Sequence, residues 1–158
     1  MSTTHMSTGT ATDFHEPASI DMKIEVVAIP VADVDRAKAF YELFGWRLDV
    51  DLVRGDDFRV VQMTPRHSGC SIAFGKGYTT AEPGSLQRLE VVVEDIEAAR
   101  EDLVSRGIEV SEIYHNDGGQ VPGVDPERRS YQSYASFSDP DGNGWLIQEI
   151  TARLPGRE

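Results

Sequence analysis

Apolar residues recur at helical spacing in two stretches of the chain, and a glycine follows each stretch. The apolar positions are Val34, Ala37, Phe40, Tyr41 and Phe44 in the first stretch and Ile96, Ala99 and Leu103 in the second. Spacings of three and four residues place each set on one face of a helix. Asp33 and Asp95 stand at N-cap positions, and Gly45 and Gly107 stand where the chain leaves each helix with positive φ. The pattern therefore predicts two amphipathic helices between these residues.

Shorter apolar runs around the two helices predict eight strands, four in each half of the chain. They cover residues 23–31, 46–52, 58–64, 71–74, 87–93, 108–114, 131–138 and 145–151. Strand alternation turns one set toward the helices: Val27, Ile29, Val31, Leu89, Val91 and Val93. The opposite faces of the same strands then carry Val26, Ala28, Arg88 and Glu90.

The two halves of the chain repeat one another. Residues 29–49 can be laid on residues 91–111 at a constant offset of 62, which matches Asp33 with Asp95 and Gly45 with Gly107. We therefore expect an α+β fold of two tandem βαβββ modules, spanning about 22–80 and 86–152. The polar residues 1–21 are expected to form a disordered N-terminal tail, and residues 153–158 a short C-terminal tail.

The net charge and the cysteine content exclude several classes of partner and of site. The 158 residues include 15 Lys and Arg against 27 Asp and Glu, a formal net charge of −12. This balance argues against nucleic acid and anionic membranes as partners, because both require a basic face. No apolar run approaches the roughly 20 residues that span a bilayer. Cys70 is the only cysteine, so an internal disulfide and a multi-cysteine zinc site are excluded, and a reducing cytoplasm is the expected location.

Two motifs carry a family resemblance. Residues 31–37, VADVDRA, lead into Phe40, Tyr41 and Gly45, and the turn DPDGN follows at 139–143. Over about residues 22–152 the chain resembles the vicinal oxygen chelate superfamily, which includes glyoxalase I, fosfomycin and bleomycin resistance proteins, and extradiol dioxygenases. The resemblance implies modules whose sheets curve into a cup with the helices on the outer face. It also implies a homodimer, and a divalent metal held by one His, Gln or Glu from each of four strands.

The residues at those four positions depart from the family pattern. The positions fall on Val26, Arg88, Ser71 or Ile72, and Leu146, with Gln148 or Glu149 substituting if Gly144 shifts the last strand. Valine offers no lone pair, and a guanidinium is a permanent cation. We therefore expect no metal at the family location. The alternative is a displaced divalent-metal set of Glu90, His115 and Glu149.

The candidate ligand-binding residues are Arg88, Glu90, Gln62, Gln148 and Tyr131, which lie on strands predicted to line the cup. Glu90 beside Arg88 could orient a polar ligand or act as a general base, or the two could form a buried charge pair. His115 opens a long segment over residues 115–130 that is typical of a binding loop or a mobile loop, and it is a second catalytic candidate. In this segment Arg128 and Arg129 either clamp an anionic substrate or are solvated.

Two functions follow from these observations. The first is a small-molecule binding protein of the bleomycin resistance type, without a cofactor, that grips an organic ligand with sheet and loop residues. The alternative is an enzyme, either a lyase or isomerase or of the dioxygenase type, that uses a displaced metal or Glu90 as general base. In both cases the expected partners are a small organic molecule and a second copy of the chain.

Overall fold

The computed structural model describes residues 18–155. The first module contains β1 (Val26–Ala28), α1 (Val34–Glu42), β2 (Arg47–Arg54), β3 (Phe58–Thr64) and β4 (Ser71–Lys76). The second contains β5 (Leu89–Val93), α2 (Ile96–Ser105), β6 (Tyr114–Asn116), β7 (Gln120–Pro122), β8 (Ser133–Ser138) and β9 (Gly144–Glu149). Most of the predicted N-terminal tail and the last three residues lie outside the described part.

Each module builds one mixed sheet. The strand orders are β1-β4-β3-β2 in the first module and β5-β9-β8-β6-β7 in the second. In both sheets the strand that precedes the helix pairs in parallel with the last strand of its module. Neither sheet closes on itself. The α+β prediction of two tandem modules is therefore confirmed.

Both helices begin and end as the sequence predicts. The Asp33 side chain accepts the Arg36 N–H at 3.0 Å. The Asp95 side chain accepts the Ala98 N–H at 3.1 Å. Gly45 and Gly107 follow with φ of 71° and 88°, a region that only glycine occupies without strain.

One apolar core joins the two modules. It includes Ile29, Tyr41 and Phe74 from the first module and Trp145 and Ile147 from the second. The buried Tyr41 hydroxyl donates to an Asp139 oxygen at 2.9 Å and accepts from the Trp145 indole at 3.0 Å. Tyr41 is thus a core residue, and Phe40 and Phe44 pack against the core from the same helix or its end.

One predicted strand, over residues 108–114, is wrong. Only Tyr114–Asn116 forms a strand there, and it continues into a hairpin with Gln120–Pro122 inside the predicted long loop. The Ser111 N–H donates to the Ser136 carbonyl oxygen of β8, but the Ser136 N–H returns to the Ser111 hydroxyl at 2.9 Å and not to a main-chain carbonyl. Arg100 of α2 donates to the carbonyl oxygens of Ser111 and Val110 at 2.7 and 3.3 Å. Side chains thus take the place of a regular strand ladder here.

The ends of other strands also differ from the predictions. Strand β1 covers only three of the nine predicted residues, and β9 ends at Glu149 rather than at 151. Strand β8 begins at Ser133 rather than at 131, because Tyr131 has a φ of 69° and is not in an extended conformation. In the part of the chain that the structure covers, neither helix has the length and apolar character needed to cross a membrane.

Candidate ligand-binding face

The side of the five-stranded sheet turned away from α2, which we call the helix-free face, carries most of the predicted ligand-binding residues. Leu89, Val91 and Val93 pack against the core, so the residues that alternate with them face the other way. Glu90 therefore shares this face with Leu146 and Gln148 of β9, because Glu90 lies opposite Leu146 in the parallel pair. Arg88 precedes the strand and reaches the same face, where it contacts Glu90 and lines a cavity with Leu146.

Arg88 and Glu90 form a pair at the surface of the chain. The Arg88 Nε donates to Glu90 Oε1 at 3.1 Å, and the two side chains are 73% and 38% exposed. The pair is thus not the buried structural pair considered from the sequence. Arg88 also has a φ of 62°, a conformation that costs a residue with a Cβ about 1–3 kcal/mol. Within the described residues, the terminal nitrogens of Arg88 make no hydrogen bond, so this strained arginine can donate to a ligand beside the Glu90 acceptor.

Two hydrogen bonds fix the orientation of the Gln148 amide. Its Nε2 donates to the Tyr131 carbonyl oxygen at 3.2 Å and to the Tyr134 hydroxyl at 3.1 Å. The Tyr134 hydroxyl donates in turn to the Tyr131 carbonyl oxygen at 2.5 Å. Because both amide protons are used, the amide oxygen is the group that Gln148 has left to offer a ligand.

An aromatic surface adjoins these polar groups. The rings of Tyr114 and Tyr134 lie on paired strands and stack with centroids 5.6 Å apart. The sequence reasoning missed both residues, because Tyr114 was assigned to the end of a wrongly placed strand. Alternation along β8 was the available signal, since it puts Tyr134 opposite Gln148.

Two cavities flank the Arg88–Glu90 pair. The smaller, of about 230 Å³, is lined by Arg88, Tyr114, Asn116, Gln120, Tyr134 and Leu146. The larger, of about 550 Å³, lies between residues 90–94, the β3–β4 turn over 65–69, and residues 150, 151 and 153. Its volume falls in the usual range of about 300–1,000 Å³ for ligand sites. Arg88 lines the first cavity and Glu90 the second, so the pair stands between them.

Gln62 lies on the other sheet. It faces away from α1, since its neighbours Val61 and Met63 are fully buried in the core. On the same side of β3, the Thr64 hydroxyl contacts Asp49 and lies 2.7 Å from the Ser71 hydroxyl. The structure therefore does not bring Gln62 together with Arg88 and Glu90 in the cavities of the helix-free face.

Tyr131 makes hydrogen bonds to residues of the helix-free face through its main chain. Its carbonyl oxygen holds Gln148 and Tyr134, and its hydroxyl accepts the Leu154 N–H at 3.0 Å. The structure thus gives Tyr131 a positioning role for Gln148.

The displaced metal set is not assembled. Glu90 is on the helix-free face, whereas Glu149 and His115 are buried on the opposite side of the sheet. Glu149 accepts two hydrogen bonds from Arg128, at 2.9 and 2.7 Å, and the Ile96 N–H at 3.0 Å. His115 Nδ1 lies 2.7 Å from the Gly123 carbonyl oxygen. Within residues 18–155, no group of three or more His, Cys, Asp or Glu is placed to hold a metal ion.

The four strand positions implied by the resemblance also fail to provide a metal site. Val26 and Ser71 lie side by side on β1 and β4, and Arg88 and Gln148 lie on the second sheet. A hydrocarbon, a hydroxyl, a cation and an amide do not form the donor set of a divalent ion. The residues present therefore do not fit the metal that the resemblance implies.

The two arginines of the 115–130 segment are occupied inside the protein. Arg128 binds Glu149 and also contacts Glu97 at 2.5 Å. Arg129 binds the buried Asp125 with two nitrogens at 3.0 and 2.8 Å. Neither arginine is a free anion clamp, and neither is simply solvated, because each neutralises a buried carboxylate.

Comparison with known proteins agrees with this architecture. The family model described as "Glyoxalase/Bleomycin resistance protein/Dioxygenase superfamily" matches residues 23–147. No curated protein sequence matches the chain significantly.

Several solved structures share the fold. TnmS3, an antibiotic binding protein from Streptomyces sp. CB03234, is 29% identical with a TM-score of 0.65, and the match covers 85% of this chain and 99% of that one. A glyoxalase/bleomycin resistance protein from the same organism is 30% identical with a TM-score of 0.61, covering 80% and 100%. A superfamily member from Sphaerobacter thermophilus DSM 20745, 23% identical with a TM-score of 0.61 over 82% and 98%, supports the fold alone.

Proposed function

The chain belongs to the Glyoxalase/Bleomycin resistance protein/Dioxygenase superfamily, and from that premise we propose that it is a small-molecule binding protein that needs no metal. The observation that carries the proposal is the exposed Arg88–Glu90 pair, in which Arg88 lines one cavity and Glu90 lines another. A relative of similar length, TnmS3, is described as an antibiotic binding protein, which supports the same class of function.

The ligand is expected to be a flat organic molecule with both donor and acceptor groups. The stacked Tyr114 and Tyr134 rings offer an aromatic surface, on which a planar ring system gains contact area. Arg88 supplies donors, while Glu90 and the Gln148 amide oxygen supply acceptors. Such a set orients one ligand, whereas burial of apolar surface provides most of the affinity.

The absence of suitable metal donors favours binding over metal-dependent chemistry. Val26 and Arg88 replace donors at two of the four expected positions, and a cation at Arg88 would repel a divalent ion. Binding through Arg88 also makes use of a charge that the metal-dependent alternative leaves without a role.

We also propose that the chain forms a homodimer. The residues before β1 carry Ile20, Met22 and Ile24 with 72%, 84% and 74% of their surface exposed. These three exposed apolar side chains directly precede β1, which is an edge strand of the four-stranded sheet. Monomeric proteins rarely leave such a group of apolar side chains uncovered. Light scattering of the purified protein is expected to give twice the 17.5 kDa chain mass; a mass of one chain at all concentrations would contradict this.

The function is tested by a thermal-shift screen of planar aromatic compounds, including antibiotics, in buffer that contains a chelator. A compound that binds the folded state raises the melting temperature by mass action. The shift should be lost in Glu90→Gln and retained in Lys38→Met, which removes a surface charge of α1 instead. Turnover of a hit that depends on Glu90 would favour the enzyme alternative. A screen without hits, or hits unaffected by Glu90→Gln, would contradict the proposal.

A further inference from the structure

The modules meet at two contact regions, which we call seams: one contains Tyr41 and Trp145, and the other contains their counterparts in the repeat. The two seams are not equivalent, although the modules repeat. At the repeat offset of 62, Tyr41 of α1 corresponds to Leu103 of α2. Val27 pairs with Ile72, and its counterpart Leu89 pairs with Trp145, so Ile72 corresponds to Trp145. One seam is therefore filled by a tyrosine and a tryptophan, and the other has a leucine and an isoleucine.

The polar contact of the filled seam is missing from its counterpart. Tyr41 donates to Asp139, in the turn that follows β8. In the first module Pro65 takes the place of Asp139, because it stands two residues beyond Met63, the counterpart of Phe137. Leu103 and Pro65 cannot form a hydrogen bond through their side chains. The second seam therefore contains less side-chain volume than the first and lacks the corresponding hydrogen bond.

A cavity of about 430 Å³ occupies the second seam. Its apolar walls include Phe44, Trp46, Val91, Leu103, Phe137 and Ile147. The Phe44 ring centroid lies 4.9 Å from that of Trp46 and 5.0 Å from that of Phe137, so three aromatic rings form one continuous wall. Phe44, Trp46 and Leu103 remain only half-buried. An apolar group in this cavity would cover surface that the fold itself leaves open.

The rim of the cavity is positive in a chain that is strongly negative. It carries Arg66, Arg106 and Asp102. Arg106 donates to the Asp102 carboxylate at 2.8 Å, so these two charges offset each other. Within the part of the chain that the structure describes, Arg66 forms no salt bridge, and its Nε donates only to the His67 ring at 3.1 Å. Among residues 18–155, the two terminal nitrogens of Arg66 have no partner, so they can bind an anion at the mouth of this aromatic cavity.

We infer that this cavity is a second ligand site, which takes a compact aromatic anion such as a bicyclic carboxylate. The ring system occupies the open space beside Leu103, the counterpart of Tyr41, and the carboxylate binds Arg66. This cavity shares no lining residue with the smaller cavity beside Arg88 and Tyr134. It adjoins the larger cavity, with which it shares Pro65, Arg66 and residues 91–93, and the Leu103 and Trp46 side chains mark it as a different site.

The test is an NMR titration of the full chain with 2-naphthoate, with 2-naphthalenemethanol as the uncharged control. We expect chemical-shift changes at the Trp46 indole and the Leu103 methyl groups at millimolar or lower naphthoate, and weaker binding of the alcohol. Leu103→Tyr, which copies the filled seam, should abolish these changes. Arg66→Met should weaken naphthoate binding about tenfold or more and leave the alcohol unaffected.

Two controls keep the test decisive. Arg54→Met removes an exposed arginine remote from the cavity and should bind naphthoate as the parent protein does. If Leu103→Tyr does not fold, Arg66→Met on the surface still decides the question. The inference is overturned if naphthoate shifts only residues near Arg88 and Tyr134, if it shifts none at millimolar concentration, or if Arg66→Met binds it with unchanged affinity.

Discussion

At the scale of single residues, buried carboxylates organise the segment that the sequence presents as a loop. Asp125 is fully buried and accepts the Arg129 N–H at 2.8 Å in addition to the guanidinium. Hydrogen bonds from the Arg129 guanidinium lower the pKa of Asp125 to about 2, against the opposing effect of burial. Sequence reasoning identified Arg128 and Arg129 but not their partners, because Glu149 and Asp125 meet them only through tertiary folding.

This pKa predicts how stability depends on pH. The folded pKa of about 2 lies below the value of about 4 in an unfolded chain, so Asp125 stabilises the fold fully above pH 4. That contribution is lost as the pH falls from about 4 toward 2. Asp125→Asn should therefore reduce the loss of unfolding free energy in this range, measured by urea titration at each pH. Asp57→Asn, in an exposed turn, is the control, and an unchanged slope in Asp125→Asn would refute the assignment.

Residue alternation explains which site residues could be predicted. Alternation places Glu90 on the helix-free face, because Leu89, Val91 and Val93 of the same strand lie in the core. Arg88 lies before the strand and reaches that face through its contact with Glu90. Gln62 was associated with them although it lies on the other sheet, since alternation fixes the face of a strand and says nothing about which sheet the strand joins. The strained φ of Arg88 also has no signal in the sequence.

At the scale of elements, helices were more predictable than strands. Caps and apolar spacing are local features, so Asp33, Asp95 and the glycines after each helix fixed both helices. Strand formation requires a partner with free backbone groups. Residues 108–114 have an apolar pattern, but the Arg100 guanidinium and the Ser111 hydroxyl make side-chain hydrogen bonds where a strand would pair through its main chain. These tertiary contacts could not be inferred from the pattern.

The β3–β4 hairpin depends on a glycine for close approach of its strands. A Cβ added at Gly75 would lie 1.9 Å from the Arg59 carbonyl oxygen, whereas one added at Gly69 meets nothing within 4 Å. Gly75→Ala should therefore lower the unfolding free energy by about 1–3 kcal/mol or more, because the backbone must move. Gly69→Ala should stay within about 0.5 kcal/mol. Equal urea midpoints for the two variants would show that the hairpin tolerates the methyl group.

At the scale of the whole molecule, Tyr41 joins the modules through a buried network. Burial and the Asp139 carboxylate raise the pKa of Tyr41, so its hydroxyl stays protonated and can donate. Tyr41→Phe leaves a buried Asp139 oxygen and the Trp145 indole each without this partner. We predict a loss of about 1–3 kcal/mol in urea unfolding. Tyr78→Phe, in the linker between the modules, should be neutral; equal losses in both variants would exclude a special role for the network.

The repeat was visible in the sequence, but the way in which its two copies differ was not. In the sequence, Tyr41 and Leu103 are simply two apolar residues at corresponding helix positions. Only the folded structure shows that aromatic side chains fill the seam at Tyr41 and that a cavity remains in the seam at Leu103. The cavities next to β5 also result from the packing of the two modules, and the apolar pattern of neither module alone indicates them.

The most direct test of the account is calorimetric titration of a ligand from the screen into the parent protein, with and without chelator, and into Arg88→Met. Metal-independent binding on the helix-free face predicts the same affinity in chelator and an affinity at least tenfold weaker in Arg88→Met, with Lys38→Met unchanged. Binding that disappears in chelator and returns with a divalent metal, or that is as tight in Arg88→Met as in the parent protein, would contradict it.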